Sequence, residues 1–477
     1  MKKYIKHVAI LLVLSVIATS CFQDNDDTFA SPTVVKNFIY RAMNAFYLYK
    51  PDVPVLANDR FASTVELEAF HQQFQTPEEF FETLVFDRAR TDRFSVIFSD
   101  YVALEQLLSG QGQNNGMEFG LVAVTGNPTD VYGYVRYVLP NSSAAQQGVT
   151  RGMIFSTING VQLTRTNFSA LLNPSTYTIG LADLNAGVPT LNGQEITLSK
   201  AFLQEDPLHI ATVIQEGNNK VGYLMYNSFL SQFDEQLNNA FAMFRAQSIT
   251  HLVLDLRYNG GGSVNTAIIL GSLISGNPTT DVFSTEEWNP EIQQQFLNSD
   301  PSRLTNFFKN STNGGTTLAS LNLSKVHVIT TGNTASASEL VISSLEPYIN
   351  VVQVGNNTAG KFQASVTLYD SPNFGRTGAN PAHRYALQPL VLKSLNSAGF
   401  TDYFDGLAPD VTINEDFANL GVLGDPSERL LRACLDDIVQ NGRTSGVPTQ
   451  AIPYNEIGGS NSLKRFGNEM WKDGFFD

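Results

Sequence analysis

Ser336 and Lys361 are the two side chains in this sequence whose types and spacing best suit covalent chemistry. A serine hydroxyl is a weak nucleophile and needs a base beside it. Lysine can be that base only when uncharged, and at an ordinary pKa of about 10.4 it is neutral in roughly one molecule in a few thousand at pH 7. Burial away from carboxylates must therefore lower its pKa, and a drop of about three units corresponds to ~4 kcal/mol. Arginine does not tolerate such a shift.

The intervening stretch, VHVITTGNTASASELVISSLEPYINVVQVGNNTAGK, supplies the elements to position the pair. Val326–Thr330 reads as a buried β-branched strand and Thr331–Asn333 as a turn. From Ala335 the spacing of Leu340, Ile342, Leu345 and Ile349 predicts a helix. Val351–Val354 is a second strand, and the polar loop Gly355–Gly360 delivers Lys361. Ser336 thus falls at a strand-to-helix corner, where unpaired N–H groups and the helix dipole favour a developing oxyanion. One helix and one strand later, the chain can return Lys361 to the same end of the sheet. The same residues also fit an N-capping Ser/Thr cluster followed by a surface lysine.

A second loop points to the same end of a sheet. Val221–Tyr226 is strand-like, Phe233–Ala246 is an amphipathic helix, and His251–Leu256 is a buried strand. That strand runs into Arg257-Tyr258-Asn259-Gly260-Gly261-Gly262, and another helix begins near Ser263. This order implies a right-handed crossover with a ligand site at the strand's carboxyl end. A phosphate-cradling loop is the rival, but no Lys-Ser/Thr follows the glycines. Of the other possible bases, His327 lies within a strand, as core histidines do, and His383 follows a loop expected to be exposed. No G-x-S-x-G elbow exists, which disfavours a lipase-type triad.

TASASE followed 25 residues later by Gly-Lys resembles the carboxyl-terminal processing, or tail-specific, peptidases, which are serine proteases with a Ser–Lys dyad. DLRYNGGG resembles that family's D-L-R-x-N-x-G-G, with Gly260 where proline is frequent. The resemblance implies Ser336 as nucleophile and Lys361 as base. It also implies an oxyanion hole from the backbone N–H groups of Ala337 and of Gly261 or Gly262, where glycine permits close approach. Many relatives orient the lysine with a glutamine four residues later; here that residue is Ser365, while Gln363 lies two residues on. Lys361, Gln363 and Ser365 share one face of an expected strand over 361–368.

LPNSSAAQQGVTRGMIFSTING resembles part of a PDZ domain, with a short helix near Ser143 and a strand ending at Asn159-Gly160. Strand-like stretches Leu121–Thr125 and Gly133–Val138 precede it. Gly116-Met117-Glu118-Phe119-Gly120 stands where such domains hold a peptide's terminal carboxylate on successive N–H groups. The implied fold is a multidomain α/β protein: an N-terminal helical domain, a PDZ-like β-rich domain and a crotonase/ClpP-like α/β peptidase core. The implied mechanism needs neither metal nor cofactor, and the partners are protein or peptide substrates.

Composition sets the outer bounds. The 477 residues are 42% hydrophobic and 16% charged, as expected of a folded chain with room for several domains. A formal charge of −15 disfavours nucleic acid as a partner. Two cysteines, Cys21 and Cys434, make no disulfide framework, and the histidines form no HExxH motif. Lys2, Lys3 and Lys6 precede an apolar run, Val8–Thr19, and then Cys21, which resembles a bacterial lipoprotein signal with Cys21 as the lipidated residue. A plain secretory signal is the alternative.

The expected partition is a signal over 1–20, a tether over 21–32, the helical domain over 33–108 and the PDZ-like domain over 109–201. The peptidase core covers 202–440, with a polar insertion at 278–322 that is either a lid or a plain excursion. A polar tail over 441–477 carries no motif. The expected protein is an exported serine endopeptidase held in the bacterial cell envelope, on the outer membrane, through a lipid anchor at Cys21. Two alternatives accompany it: a catalytically inactive peptide- or glycan-binding surface lipoprotein on a peptidase scaffold, favoured by Ser365 and Glu118, and a serine esterase on the same elbow.

Overall fold

Three runs of aliphatic and β-branched residues, HLVLD, KVHVIT and NVVQVG, form the centre of the α/β core as parallel strands His251–Asp255, Lys325–Thr330 and Asn350–Gly355. The computed structural model describes residues 31–440, 456–463 and 467–476. The expected signal segment and Cys21 lie outside them. The central sheet has six strands, in the order Leu208–Glu216, Asn219–Tyr226, His251–Asp255, Lys325–Thr330, Asn350–Gly355 and Val411–Thr412. The first two form an antiparallel hairpin and all later pairings are parallel.

Both faces of this sheet are covered, as near-continuous apolar strands require. Helices Asp234–Ala246, Val264–Ser275 and Ala337–Leu345 cover one face. Helix Arg429–Gln440 packs Leu431, Leu435 and Ile438 over Met225, Val253, Ile329 and Val354 on the other. The N-terminal helices join the first of these layers: Phe38, Ile39, Met43, Phe80 and Phe81 belong to the same apolar cluster as Leu224, Leu254 and Leu273. Thr76 caps Pro77–Thr83 as its sequence suggests, accepting from Glu79 N at 3.1 Å.

A second six-stranded sheet orders Gly262–Ser263, Met470–Trp471, Gln363–Ser365, Leu390–Asn396, Val282–Trp288 and Thr305–Phe307. Two expectations change here. The polar stretch 278–322 is not a lid: its strand Val282–Trp288 pairs with Leu390–Asn396, and Phe283, Trp288, Phe296 and Phe308 are buried in the main core. Four aromatic side chains spaced among polar residues are enough to anchor it. The expected strand over 361–368 is two short strands, Gln363–Ser365 and Leu368–Tyr369, which pair into different sheets.

The β-rich unit is a meander of Met117–Ala123, Val131–Val138, Ile154–Ile158, Thr176–Asn185 and Val188–Ser199, with helix Ser143–Gln146 capped by Ser142. Its outer edge strand is Glu456–Gly459, contributed from far along the chain.

A buried ionic cluster fixes the loop after His251–Asp255. Arg257, with no exposed surface, donates to Asp255 at 2.8 to 3.0 Å, to Glu428 at 2.9 and 3.0 Å and to Glu415 at 3.1 Å. The two guanidinium groups of Arg151 and Arg257 hold the Glu415 carboxyl down at about 2 although burial opposes this. Such a cluster adds little net stability but is costly to break from one side. Arg257→Ala leaves three buried carboxylates without their central cation and is expected to cost about 3–5 kcal/mol, read as a lower midpoint in urea unfolding.

Candidate active site

The strand Lys325–Thr330 delivers Ser336 to a corner that only tertiary contacts can maintain. Ser336 has φ +62° and ψ −115°, a conformation that costs a non-glycine residue about 1–3 kcal/mol. The segment before it is tied to the neighbouring glycine loop: Thr334 Oγ1 donates to Leu256 O at 2.8 Å, and Ala335 N donates to Asn259 O at 3.0 Å. Thr331 Oγ1 donates to Arg257 O, and Ser338 Oγ to Asn259 O at 3.2 Å. Gly261 lies against the corner itself. A Cβ there would sit 2.5 Å from Ser336 Cβ and 3.1 Å from Ala337 N, so only glycine fits.

Glu339 joins this corner to the lysine loop. Its buried carboxylate accepts from Ser336 N at 2.7 Å, Gly360 N at 2.8 Å and Lys361 N at 2.9 Å, and also from the Thr358 hydroxyl. Burial raises its pKa to about 7, against the opposing pull of these donors. Sequence reasoning gave Glu339 no role, although Ser336-x-x-Glu339 is the spacing of a helix capping box and was the available signal.

Lys361 is wholly buried. Its amine donates to Asn468 O at 3.0 Å, pairs with the Glu469 carboxylate and stands 4.6 Å from the centre of the Phe94 ring. Desolvation pulls its pKa down, while Glu469, Asp92 and Glu339 pull it up; the downward pull prevails. Ser336 Oγ donates to the same Asn468 O at 3.3 Å. The hydroxyl and the amine therefore meet at one carbonyl oxygen.

The other sequence-derived candidates fare unevenly. Neither Gln363 nor Ser365 holds the lysine amine: Gln363 Nε2 donates to Tyr49 OH at 2.9 Å, and Ser365 Oγ donates to Gln388 Oε1 and to Met470 O. Among the described residues, the groups on the amine come from Asn468, Glu469 and Phe94 instead. Of the two glycines offered as oxyanion donors, Gly261 already gives its N–H to Asn259 Oδ1 at 2.8 Å. Gly262, at φ +137°, remains beside it, and Ala337 is the first residue of its helix, where N–H groups have no intrahelical acceptor.

The N–H groups of Gly116–Gly120 are not open to a carboxylate in this structure. Met117–Gly120 is the start of a strand paired with Val131–Val138. The N–H groups of Gly116, Met117 and Phe119 already serve Asn114 Oδ1, Asn115 Oδ1 and Ser460 Oγ at 2.7, 3.1 and 3.2 Å. Glu118 is buried and accepts from the Ser460 hydroxyl and from Asn114.

The rival bases are engaged elsewhere. His327 Nε2 meets Asp437 at 2.8 Å, and burial lowers its pKa to about 4. His383 is paired with Asp370 at 3.0 Å, and its side chain is only 6% exposed, contrary to the exposed loop expected.

The fold is a mixed α/β one with S41 protease neighbours among solved structures. The model of peptidase family S41 matches residues 220–385, and that of the S41 N-terminal domain matches residues 34–96. Over these residues the chain is similar to peptidase family S41. A crystal structure of a Bacteroides fragilis protein described as an S41 protease is similar at 27% identity and TM-score 0.65, covering 85% of this chain and 97% of that one. A Staphylococcus epidermidis protein described as a CtpA-like serine protease is 25% identical over 224 residues, 47% of this chain and 40% of its own length. A Staphylococcus aureus protein of the same description is 22% identical over 253 residues, 53% of this chain and 44% of its own. The chain thus spans less than half the length of these curated relatives.

Glu339→Ala deprives three backbone N–H groups and the Thr358 hydroxyl of their buried acceptor. It is expected to cost ~2–4 kcal/mol and to abolish covalent labelling of Ser336 by a fluorophosphonate, measured at a temperature where circular dichroism shows the variant folded. Glu339→Gln, which keeps an acceptor oxygen, should retain more of both.

Proposed function

We propose that the chain is a serine endopeptidase that cleaves peptide bonds of unfolded or tail-presented protein substrates through a Ser336–Lys361 dyad. The observation that carries this reading is the convergence of Ser336 Oγ and Lys361 Nζ on one peptide carbonyl, at 3.3 and 3.0 Å. In the proposed reaction the amine, neutral because it is buried, takes the hydroxyl proton as Oγ attacks the substrate carbonyl carbon. The N–H groups of Ala337 and Gly262 receive the developing oxyanion. The lysine then protonates the leaving amine, and water releases the acyl group from Ser336 by the reverse proton path.

The β-rich unit fits a PDZ-like role through its sheet edge and not through a carboxylate loop. Its Met117–Ala123 strand accepts another strand in antiparallel register, which is how an extended peptide would add. Export and anchoring at Cys21 complete the reading, which would place the protein in the bacterial cell envelope, on the outer membrane. It rests on the lysines, apolar run and cysteine of the first 21 residues. Cys21→Ser should abolish incorporation of radiolabelled palmitate in a Gram-negative host; undiminished labelling would remove the anchor.

Ser336→Ala and Lys361→Ala are each expected to lower kcat/KM for an unstructured peptide by about a thousandfold or more. Lys361→Arg should do no better than alanine, because a guanidinium stays charged. Burial lowers the lysine pKa and the reactive form is the neutral amine, so kcat/KM should rise with pH along a limb whose midpoint lies below lysine's ordinary value. Mass spectrometry of an incubated unfolded protein checks the cleavage. Persistent turnover in Ser336→Ala or Lys361→Ala would refute the dyad.

A further inference from the structure

Residues 456–463 and 467–476 run through the cleft of the site described above. Glu456–Gly459 pairs antiparallel with Met117–Ala123, with Val122 opposite Glu456 and Gly120 opposite Gly459. Glu456 is anchored there by Arg136 and by Tyr134 OH at 2.8 Å. Farther on, Gly467–Glu469 lies over Ser336 and Lys361. Met470–Trp471 then inserts parallel to Gly262–Ser263 on one side and to Gln363–Ser365 on the other. Lys472 N donates to Ser365 O at 3.0 Å, its amine reaches Glu286 at 2.7 Å, and Phe475 stacks on Trp288 with ring centres 5.1 Å apart.

Extended backbone entering sheets on both sides of a reactive serine is the posture of a bound peptide. Two features make this one unproductive. The Asn468 carbonyl oxygen accepts from both the hydroxyl and the amine, so the serine's proton points at the segment and not at its base. The Glu469 carboxylate supplies a counter-ion that favours the protonated amine, the form that cannot act as a base. The segment also divides the space above the site. Cavities of about 680 and 470 Å3 flank it, and Asn461, Gly467 and Glu469 line both. The floor is fitted to it as well: a Cβ on Gly260 would lie 2.1 Å from Gly467 O.

We propose that the cleft binds Glu456–Leu463 and Gly467–Phe476 of its own chain as an uncleaved pseudosubstrate, which peptide substrates must displace. This rests on the peptidase reading, and the tests separate the two. Gly260→Ala crowds the segment from below, and Glu469→Lys sets a second ammonium against Lys361; both leave Ser336 and Lys361 in place.

In the full chain, each variant is expected to raise turnover of an unstructured fluorogenic peptide at least fivefold, and to raise the rate of Ser336 labelling by a fluorophosphonate in parallel. In full-length Ser336→Ala, a saturating unstructured peptide should speed amide hydrogen exchange across 456–463 and 467–472, which reports displacement without any chemistry. Unchanged or lower turnover in both variants, or exchange unaffected by the peptide, would overturn the pseudosubstrate. So would cleavage of the parent chain between Asn468 and Glu469, seen by mass spectrometry. If no variant cleaves peptide or labels, the peptidase reading fails on its own, and the exchange measurement still decides whether the segment is displaced.

Discussion

One buried carboxylate holds the candidate site together. Glu339 accepts from the backbone of Ser336 on one side and of Gly360 and Lys361 on the other. The corner at residue 336 is intrinsically unfavourable, and a loop ending in Lys361 has no helix or strand of its own to stiffen it. Directional bonds to a shared acceptor in a medium of low polarity are strong enough to define both positions at once. A carboxyl raised to about 7 is a sign of what burial demands there. Removing the donors would leave that group nothing to offset its desolvation, so donors and acceptor depend on each other.

The glycine loop is held by a different device with the same logic. Gly261 and Gly262 adopt φ values that only glycine reaches easily, and glycine alone imposes no conformation. The rigidity comes from outside: Arg257 clamped among Asp255, Glu415 and Glu428, and Asn259, whose side chain binds Tyr226 O and Gly261 N while its carbonyl takes Ala335 N and Ser338 Oγ. Asn259 is thus a joint between two loops that arrive from different strands. That explains how a flexible triplet can sit beside a strained serine in a fixed relation.

What could be read from the sequence was whatever local periodicity or turn chemistry decides. The strands flanking Ser336, the helix after it and the return to Lys361 follow from alternating or helical apolar spacing, and the structure has them within a few residues. Whatever depends on which distant strand pairs with which was not legible. Glu456–Gly459 and Met470–Trp471 are too short to signal strands, and they become strands only because exposed sheet edges receive them. Gly116–Gly120 had the composition of an anion nest, but Asn114 and Asn115 fold their side chains back onto the N–H groups that an anion would need. The aromatic anchors in 278–322 were hidden for a third reason: they are spaced for a packed layer and match neither helical nor strand periodicity.

The charge on Lys361 ties these threads together. Burial that would make an amine a usable base also makes its ammonium form need a counter-ion, and the two demands conflict at a single position. With Glu469 in place the demand for a counter-ion is met, and burial pushes that carboxyl up to about 7, so either the pair is ionised together or the shared proton resides between them. Without Glu469, the remaining acidic influences on the amine are Asp92, engaged by Tyr47, Ser95 and nearby N–H groups, and Glu339, engaged by the backbone. Desolvation then faces weaker opposition, but the cover that Asn468 and Glu469 give the amine is lost with them. A segment that leaves the cleft would thus clear the serine and take from the lysine both a counter-ion and part of its cover, so that occupancy and protonation respond to one displacement.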